Sequence, residues 1–237
     1  MQRYFVNKKV NDYFYLNEED SFHATKVMRM KLFENVEIVY NEHLYICEIL
    51  SFDPVVECKI VEELDNTKNH MPNVIIAQAL VKEQKMDYIL QKSCELGVSS
   101  IIPFNSERSL IKLDGNDEKK ISRWNKILKE ASEQSKRCDV PSLENIVDIR
   151  YLINLPFKHK YVCTVNEKTK TIKSVLSNVD ISDTIIFVIG SEGGLSLSEE
   201  EKLIKNGFVP ISLGNNVLRT ETASSFVLSA VCYEFMR

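Results

Sequence analysis

Seven glycines occur in the chain, and three of them fall together in Gly190-Ser191-Glu192-Gly193-Gly194. Glycine allows positive φ and lets a ligand approach the backbone closely. The cluster follows the apolar run Thr184–Ile189 and precedes Ser196-Leu197-Ser198-Glu199, the spacing of a capping box that opens a helix. A loop between such a strand and helix lies where open α/β sheets bind ligands. It could equally be a tight turn that binds nothing. It lacks the G-x-G-x-x-G and G-x-x-x-x-G-K spacings, which disfavours nucleotide phosphate as the ligand and removes a dehydrogenase reading.

A second loop repeats the design. The run Phe208–Leu213 ends in Gly214-Asn215-Asn216, followed by Val217-Leu218-Arg219-Thr220-Glu221-Thr222-Ala223. Thr220 reads as an N-cap, and Ala223, Phe226, Val227, Ala230 and Val231 follow at the spacing of a buried helix face. Arg219 and Glu221 thus stand at a helix entrance beside a glycine turn. They could work on a substrate, or be a surface ion pair with a carboxylate near the helix dipole.

The elements that must position these loops alternate. Apolar runs at Val74–Leu80, Ser100–Phe104, Tyr161–Val165, Thr184–Ile189 and Phe208–Leu213 are separated by helical patterns at Met86–Leu96, Glu118–Lys136, Thr169–Leu176 and Leu197–Asn206, and a last helix spans Glu221–Met236. Continuous apolar strands alternating with helices predict an α/β domain with a mostly parallel sheet covered on both faces. The first seventy residues differ. Val36–Tyr40, Leu44–Leu50 and Val55–Leu64 read as short strands of a small β-barrel, interrupted by one helix that Asp20 would cap. The polar stretch Asp65 to Pro72 marks the boundary, giving domains 1–70 and 71–237.

Residues 1–70 carry eight basic and thirteen acidic side chains, and residues 71–237 carry twenty-two and twenty-one. With a net charge of −4, any nucleic-acid binding must rest on a local basic patch. Lys119, Arg123 and Lys126 share one helix face, which is either such a patch or a solvated surface. The six cysteines form no C-x-x-C pair and read as reduced thiols, so no metal is expected. No run approaches the roughly 18 apolar residues of a membrane span, and the N-terminus lacks the apolar core of a signal peptide. A cytoplasmic protein is expected.

Gly190 to Ser196, Ser212-Leu213-Gly214 and Leu218 to Ala223 closely resemble the signature of the bacterial 16S rRNA uracil-N3 methyltransferases of the SPOUT superfamily. Met86-Asp87, Lys92, Glu95 to Val98, Ser106 to Ser109, Glu130-Ala131, Glu133 to Ser135, Arg137 and Val140-Pro141 extend the resemblance upstream. Arg3-Tyr4-Phe5, His23 and Val27-Met28-Arg29 carry it to the N-terminus. It implies a SPOUT-type trefoil-knotted methyltransferase domain behind a PUA-like β-barrel that binds RNA. It also implies a homodimer, S-adenosylmethionine as cofactor and the small ribosomal subunit as partner. By the same resemblance the cofactor is held by Thr164, Glu167, Gly190, Glu192, Gly193, Gly194, Leu213, Gly214, Leu218 and Thr220. RNA is expected at Arg3, His23, Arg29 and, in the second domain, Arg108 and Arg137; Lys26 and Lys31 join Arg29 as phosphate contacts.

Two positions depart from the pattern. Ser191 stands where the family usually has proline, and Asn215-Asn216 replaces a common proline-arginine pair, removing a phosphate contact. Uracil N3 must lose a proton on methylation, so a cation and a base are expected: Arg219 for the developing anion, and Glu192 or Glu221 for the proton. Ribose 2′-O-methylation, or a non-catalytic RNA-binding or ribosome-assembly role on the same fold, are the alternatives.

Overall fold

The computed structural model describes residues 1–65, 71–113 and 117–236, and the chain divides into two compact units. The stretch 65–72, read as a boundary, therefore lies largely outside the described residues. The first unit also gathers Ser132–Val140. The boundary at 65–72 puts that segment in the second domain, because nothing local distinguishes the end of one long helix from its middle.

In the first unit, strands β1 (Arg3–Phe5), β2 (Lys9–Val10) and β3 (Tyr13–Tyr15) precede helix α1 (Glu18–Phe22). Next come a single π-helical stretch (His23–Val27), then β4 (Asn35–Tyr40), β5 (His43–Ser51) and β6 (Glu57–Leu64). They form a six-stranded sheet in the order β1-β4-β5-β6-β3-β2, antiparallel except where β1 runs parallel to β4. The sheet encloses Tyr4, Phe14, Val36, Ile38, Cys47 and Ile49. β4, β5 and β6 fall where the sequence predicts strands, whereas β1, β2 and β3, of three residues or fewer, escape it, and the cap differs. Asn17, not Asp20, caps α1, its side chain accepting from the Asp20 amide at 2.8 Å. Asp20 is turned inward instead, its carboxylate accepting from the Asn17 side-chain Nδ2 at 2.9 Å.

The second unit holds a seven-stranded sheet in which every pairing is parallel. Its elements are β7 (Asn73–Ala79), α2 (Glu83–Glu95), β8 (Ser100–Asn105), α3 (Glu118–Gln134), β9 (Ser142–Leu143), β10 (Val147–Asp148) and α4 (Ile149–Ile153). After these come β11 (His159–Cys163), α5 (Ile172–Leu176), β12 (Thr184–Ile189), α6 (Leu197–Lys205), β13 (Val209–Ile211) and α7 (Thr220–Phe235). The order is β10-β8-β7-β12-β11-β13, with β9 also on β8. One face packs Ile76, Met86, Leu90, Phe187 and Leu228, and the other packs Ala77, Phe104, Val188, Leu203 and Phe208. Two buried layers explain the continuous apolar strands. β9, β10 and α4 escape a reading of periodicity because each is five residues or fewer.

Because β12, β11 and β13 are adjacent and parallel, their carboxyl ends deliver three loops to one place: 190–196, 164–171 and 212–219. That convergence makes the site.

Candidate functional site

Two of the three loops, 164–171 and 212–219, are bound to each other through their backbones. The Ser212 amide donates to the Lys170 carbonyl at 2.8 Å, the Ile172 amide to the Ser212 carbonyl at 3.2 Å, and the Thr164 amide to the Ile211 carbonyl at 3.1 Å. The glycine loop folds back on itself, Gly194 N–H reaching the Ser191 carbonyl at 2.9 Å. A Cβ on Gly190 would lie 2.7 Å from the Gly194 carbonyl carbon, so only glycine fits there. Gly214 is different. Its φ is +119° and a Cβ would meet nothing within 4 Å, leaving bare backbone facing open space.

That space is a cavity of about 670 Å³ lined by all three loops, a size that suits a drug-sized ligand. Ile189, Leu195, Leu213, Leu218 and Ala223 give it an apolar wall, and Glu167, Glu192 and Glu200 bring carboxylates. Lys85, Arg108, Lys168 and Arg219 line it as well, so the fit rests on the apolar wall and exposed backbone, which suit an adenosyl group. The backbone of Gly190, Gly193, Gly194, Leu213, Gly214 and Leu218 would hold such a group.

Among the residues expected at the cofactor, Thr164, Glu167, Gly190, Glu192, Gly193, Gly194, Leu213, Gly214, Leu218 and Thr220 all line this cavity. Several side chains are nevertheless already engaged. The Thr164 hydroxyl donates to Glu200 at 2.8 Å. Glu167 Oε1 accepts from the Lys168, Thr169 and Lys170 amides and the Thr169 hydroxyl, at 2.6 to 3.0 Å. The Lys170 and Thr169 amides and the Thr169 hydroxyl hold the Glu167 carboxyl down, from its ordinary 4.5 to about 2. Glu167 thus shapes the loop rather than presenting a free charge.

Thr220 is not the N-cap that the sequence suggested. Arg219 occupies that position without a side-chain bond, and Thr220 is the first helical residue. Its hydroxyl is buried, donating to the Gly190 carbonyl at 2.7 Å and accepting from Gln78 Nε2 at 2.9 Å. Ser224 completes the cluster, donating to Gln78 Oε1 at 3.1 Å. Strand β7, the glycine loop and α7 are therefore tied by one hydroxyl. Gln78 sits fully buried, the one polar residue among the buried positions of β7, and that isolated polarity was the available signal.

The candidate chemical groups come together. Lys85, on the first turn of α2, stands 3.1 Å from Glu192 Oε1 and 3.8 Å from Glu221 Oε2. Burial pushes the Glu192 carboxyl up, but its own amide and the Lys85 ammonium hold it below its ordinary value. Arg219 lines the cavity, exposed, and among the described residues no carboxylate pairs with it. The ion pair imagined between Arg219 and Glu221 is absent from the described residues, and Lys85 takes its place. Lys85 was missed because it lies more than a hundred residues before Glu192 on a separate helix.

A further clamp supports the glycine loop. Glu199 closes the expected capping box with Ser196. The same buried carboxylate accepts from the Glu107 amide at 2.8 Å and the Ser106 hydroxyl at 3.1 Å. Arg108 follows, donating to the Gly193 carbonyl at 3.1 Å from the cavity lining.

The residues expected at RNA separate. Arg29 and Arg108 are exposed. Arg3 is turned inward, with 5% of its side chain exposed, pairing with Glu37 at 2.9 Å and donating to the Lys136 and Arg137 carbonyls. It braces its own unit and has no face left for a phosphate. Arg137 is mostly covered and pairs with Asp139 at 2.6 Å. His23 is half-buried, its Nδ1 3.1 Å from the Tyr4 hydroxyl. On α3, Arg123 is paired with Glu83 at 2.8 Å and with Asp87.

This fold, with its cofactor-sized cavity at three convergent loops, defines an RNA methyltransferase domain, and the model of that family matches residues 67–232. Within it the chain belongs to the ribosomal RNA small subunit methyltransferase E family. It is 33% identical to the Bacillus subtilis member over 99% of this chain and 97% of that one. The solved ribosomal RNA small subunit methyltransferase E of Neisseria gonorrhoeae, bound to S-adenosyl methionine, superposes with a TM-score of 0.87 at 28% identity, over 99% and 98% of the two chains. A putative methyltransferase of Legionella pneumophila in complex with the same cofactor gives 0.88 at 27% identity, over 98% and 97%. The chain is an S-adenosylmethionine-dependent methyltransferase.

Proposed function

We propose that the chain methylates N3 of one uridine in small-subunit ribosomal RNA, as a homodimer of the cytoplasm. The substrate RNA follows the names its relatives carry. The acceptor atom follows from the chemistry of the site. The observation that carries it is that Arg219 lines the same cavity as Glu192 and Lys85, whose ammonium lies 3.1 Å from Glu192 and 3.8 Å from Glu221, a carboxylate outside the cavity lining.

S-adenosylmethionine, when bound, supplies an electrophilic methyl group on a sulfonium. The residues here must then align an acceptor and manage its proton. Uracil N3 carries a weakly acidic proton whose loss leaves a delocalised anion. Arg219 neutralises that anion. Glu192, kept ionised, accepts the proton or passes it to Glu221. N3 lies on the pairing edge, so the uridine enters unpaired or flipped from its helix.

The same reading takes residues 71–237 as a SPOUT-type domain threaded as a trefoil knot, with the Thr220 hydroxyl fastening it. It takes residues 1–70 as a PUA-like barrel presenting the RNA. The homodimer is supported by large apolar side chains left exposed on α7 and its entry loop, Val217, Phe226 and Tyr233.

The test combines labelled S-adenosylmethionine with small ribosomal subunits from cells lacking this methylation, followed by digestion of the RNA to nucleosides. Label in 3-methyluridine is expected. Label in a 2′-O-methylated nucleoside would keep the cofactor and overturn the acceptor atom.

A further inference from the structure

Three carboxylates line the cavity, those of Glu167, Glu192 and Glu200. Each is held differently. Glu192 lies 3.1 Å from the Lys85 ammonium, which balances its charge. Glu167 is turned into its own loop, where Oε1 takes the amides of Lys168, Thr169 and Lys170. Glu200, half-buried in the first turn of α6, has neutral side-chain donors only. The Thr164 hydroxyl donates to its Oε1 at 2.8 Å, and the Asn166 side-chain amide donates to its Oε2 at 3.0 Å. The Asn166 backbone amide donates to the Thr164 hydroxyl at 3.1 Å, so the loop grips both carboxylate oxygens from one turn. Among the described residues no cation pairs with Glu200.

Neutral donors orient a carboxylate and take up part of its acceptor capacity, but they leave its charge uncancelled. A charge in a half-buried wall is costly unless a counter-charge meets it. The four cations of the lining do not supply one. Lys85 serves Glu192, Arg108 donates to the Gly193 carbonyl, and neither Lys168 nor Arg219 pairs with Glu200. The missing charge must come from what the cavity holds. S-adenosylmethionine offers two cationic centres, its sulfonium and its α-ammonium. S-adenosylhomocysteine, left after methyl transfer, keeps only the ammonium.

We infer that Glu200, held by Thr164 and Asn166, is the seat for a positive centre of the cofactor. Its chemistry is a fixed carboxylate facing a cation. If that cation is the sulfonium, the seat also favours donor over product, because methyl transfer removes the charge it holds. The seat rests on the cofactor alone and is independent of which atom of the RNA is methylated.

Calorimetry on the full chain tests it with three ligands: S-adenosylmethionine, S-adenosylhomocysteine and 5′-methylthioadenosine, which has neither cation. Glu200→Gln removes the charge and keeps an acceptor, whereas Glu200→Met removes both. Both variants should bind S-adenosylmethionine roughly 5- to 50-fold more weakly and 5′-methylthioadenosine as the parent does. That retained affinity shows the cavity intact. S-adenosylhomocysteine separates the two sources: a loss equal to that of the donor assigns the ammonium, and an undiminished affinity assigns the sulfonium. Unchanged S-adenosylmethionine affinity in both variants overturns the seat. So does an equal loss of 5′-methylthioadenosine, which would put Glu200 on the ribose hydroxyls or on the shape of the cavity. A loss confined to Glu200→Met overturns it too, since Glu200 would then act as an acceptor and not as a charge.

Discussion

The Thr220 hydroxyl donates to the Gly190 carbonyl at 2.7 Å, joining two loops thirty residues apart in the chain. Gly190 opens the glycine loop and Thr220 opens α7, so the bond holds the cavity floor to the helix that follows it. Thr220→Val keeps the shape but takes away the Gly190 carbonyl's hydroxyl donor and one of the two acceptors of the buried Gln78 amide, the other being the Ala79 carbonyl. A cost of about 1–3 kcal/mol is expected, as a lower melting temperature, with weaker S-adenosylmethionine binding by calorimetry. Thr220→Ser should restore both. Unaltered cofactor affinity in the valine variant would separate this bond from the site.

Lys85 holds Glu192 ionised. Replacing it with methionine removes the ammonium and raises the Glu192 carboxyl. Since the folded value is depressed, the favourable pairing is present above the ordinary carboxylate value and is lost as pH falls through the depressed one. Lys85→Met should therefore move the acid limb of the rate profile to higher pH, while Lys85→Arg leaves it near the parent. Both partners are partly exposed, so the stability change should stay within about 1 kcal/mol. A Lys85→Met profile that coincides with the parent would remove Glu192 as the proton acceptor.

Arg219 is expected to act late, on the charge that develops at the acceptor. Arg219→Ala should lower methyl transfer by roughly 100-fold or more while cofactor affinity holds. Single-turnover rates with saturating cofactor make the measurement, and near-parent turnover would take Arg219 out of the chemistry.

Glu167 caps its own turn, and its carboxyl lies near 2 instead of its ordinary 4.5. The contribution of that cap is full above the ordinary value and fades as pH falls toward 2. Glu167→Gln should loosen 167–170 at neutral pH, read as faster amide exchange at Thr169 and Lys170. A carboxyl titrating near 4.5 by NMR would contradict the cap.

Glu199 closes the capping box and clamps the Ser106–Glu107 backbone with one buried carboxylate. Glu199→Ala removes both, and an expected loss of roughly 2–4 kcal/mol follows from a lost cap and stranded buried donors. Denaturant unfolding measures it; a loss no larger than that of Ser196→Ala would mean the clamp contributes nothing beyond the cap.

The sequence by itself determined the parallel sheet, the helices between its strands and the two glycine loops. Each is written in a periodicity or a residue type that acts within a few positions. Gly190 and Gly214 are legible because backbone geometry is a local property. The tertiary structure decided what the polar side chains do. Lys85 meets Glu192, Gln78 meets Thr220, and Glu199 meets Ser106 across gaps of roughly ninety to a hundred and forty residues. No local pattern encodes such a meeting, because it depends on which strands lie side by side. Arg3 shows the converse. Its type suggests a phosphate contact, yet the β1–β4 pairing places it against Glu37 and turns it inward. Residue type sets what a side chain can do, and the neighbours that strand order supplies set what it does.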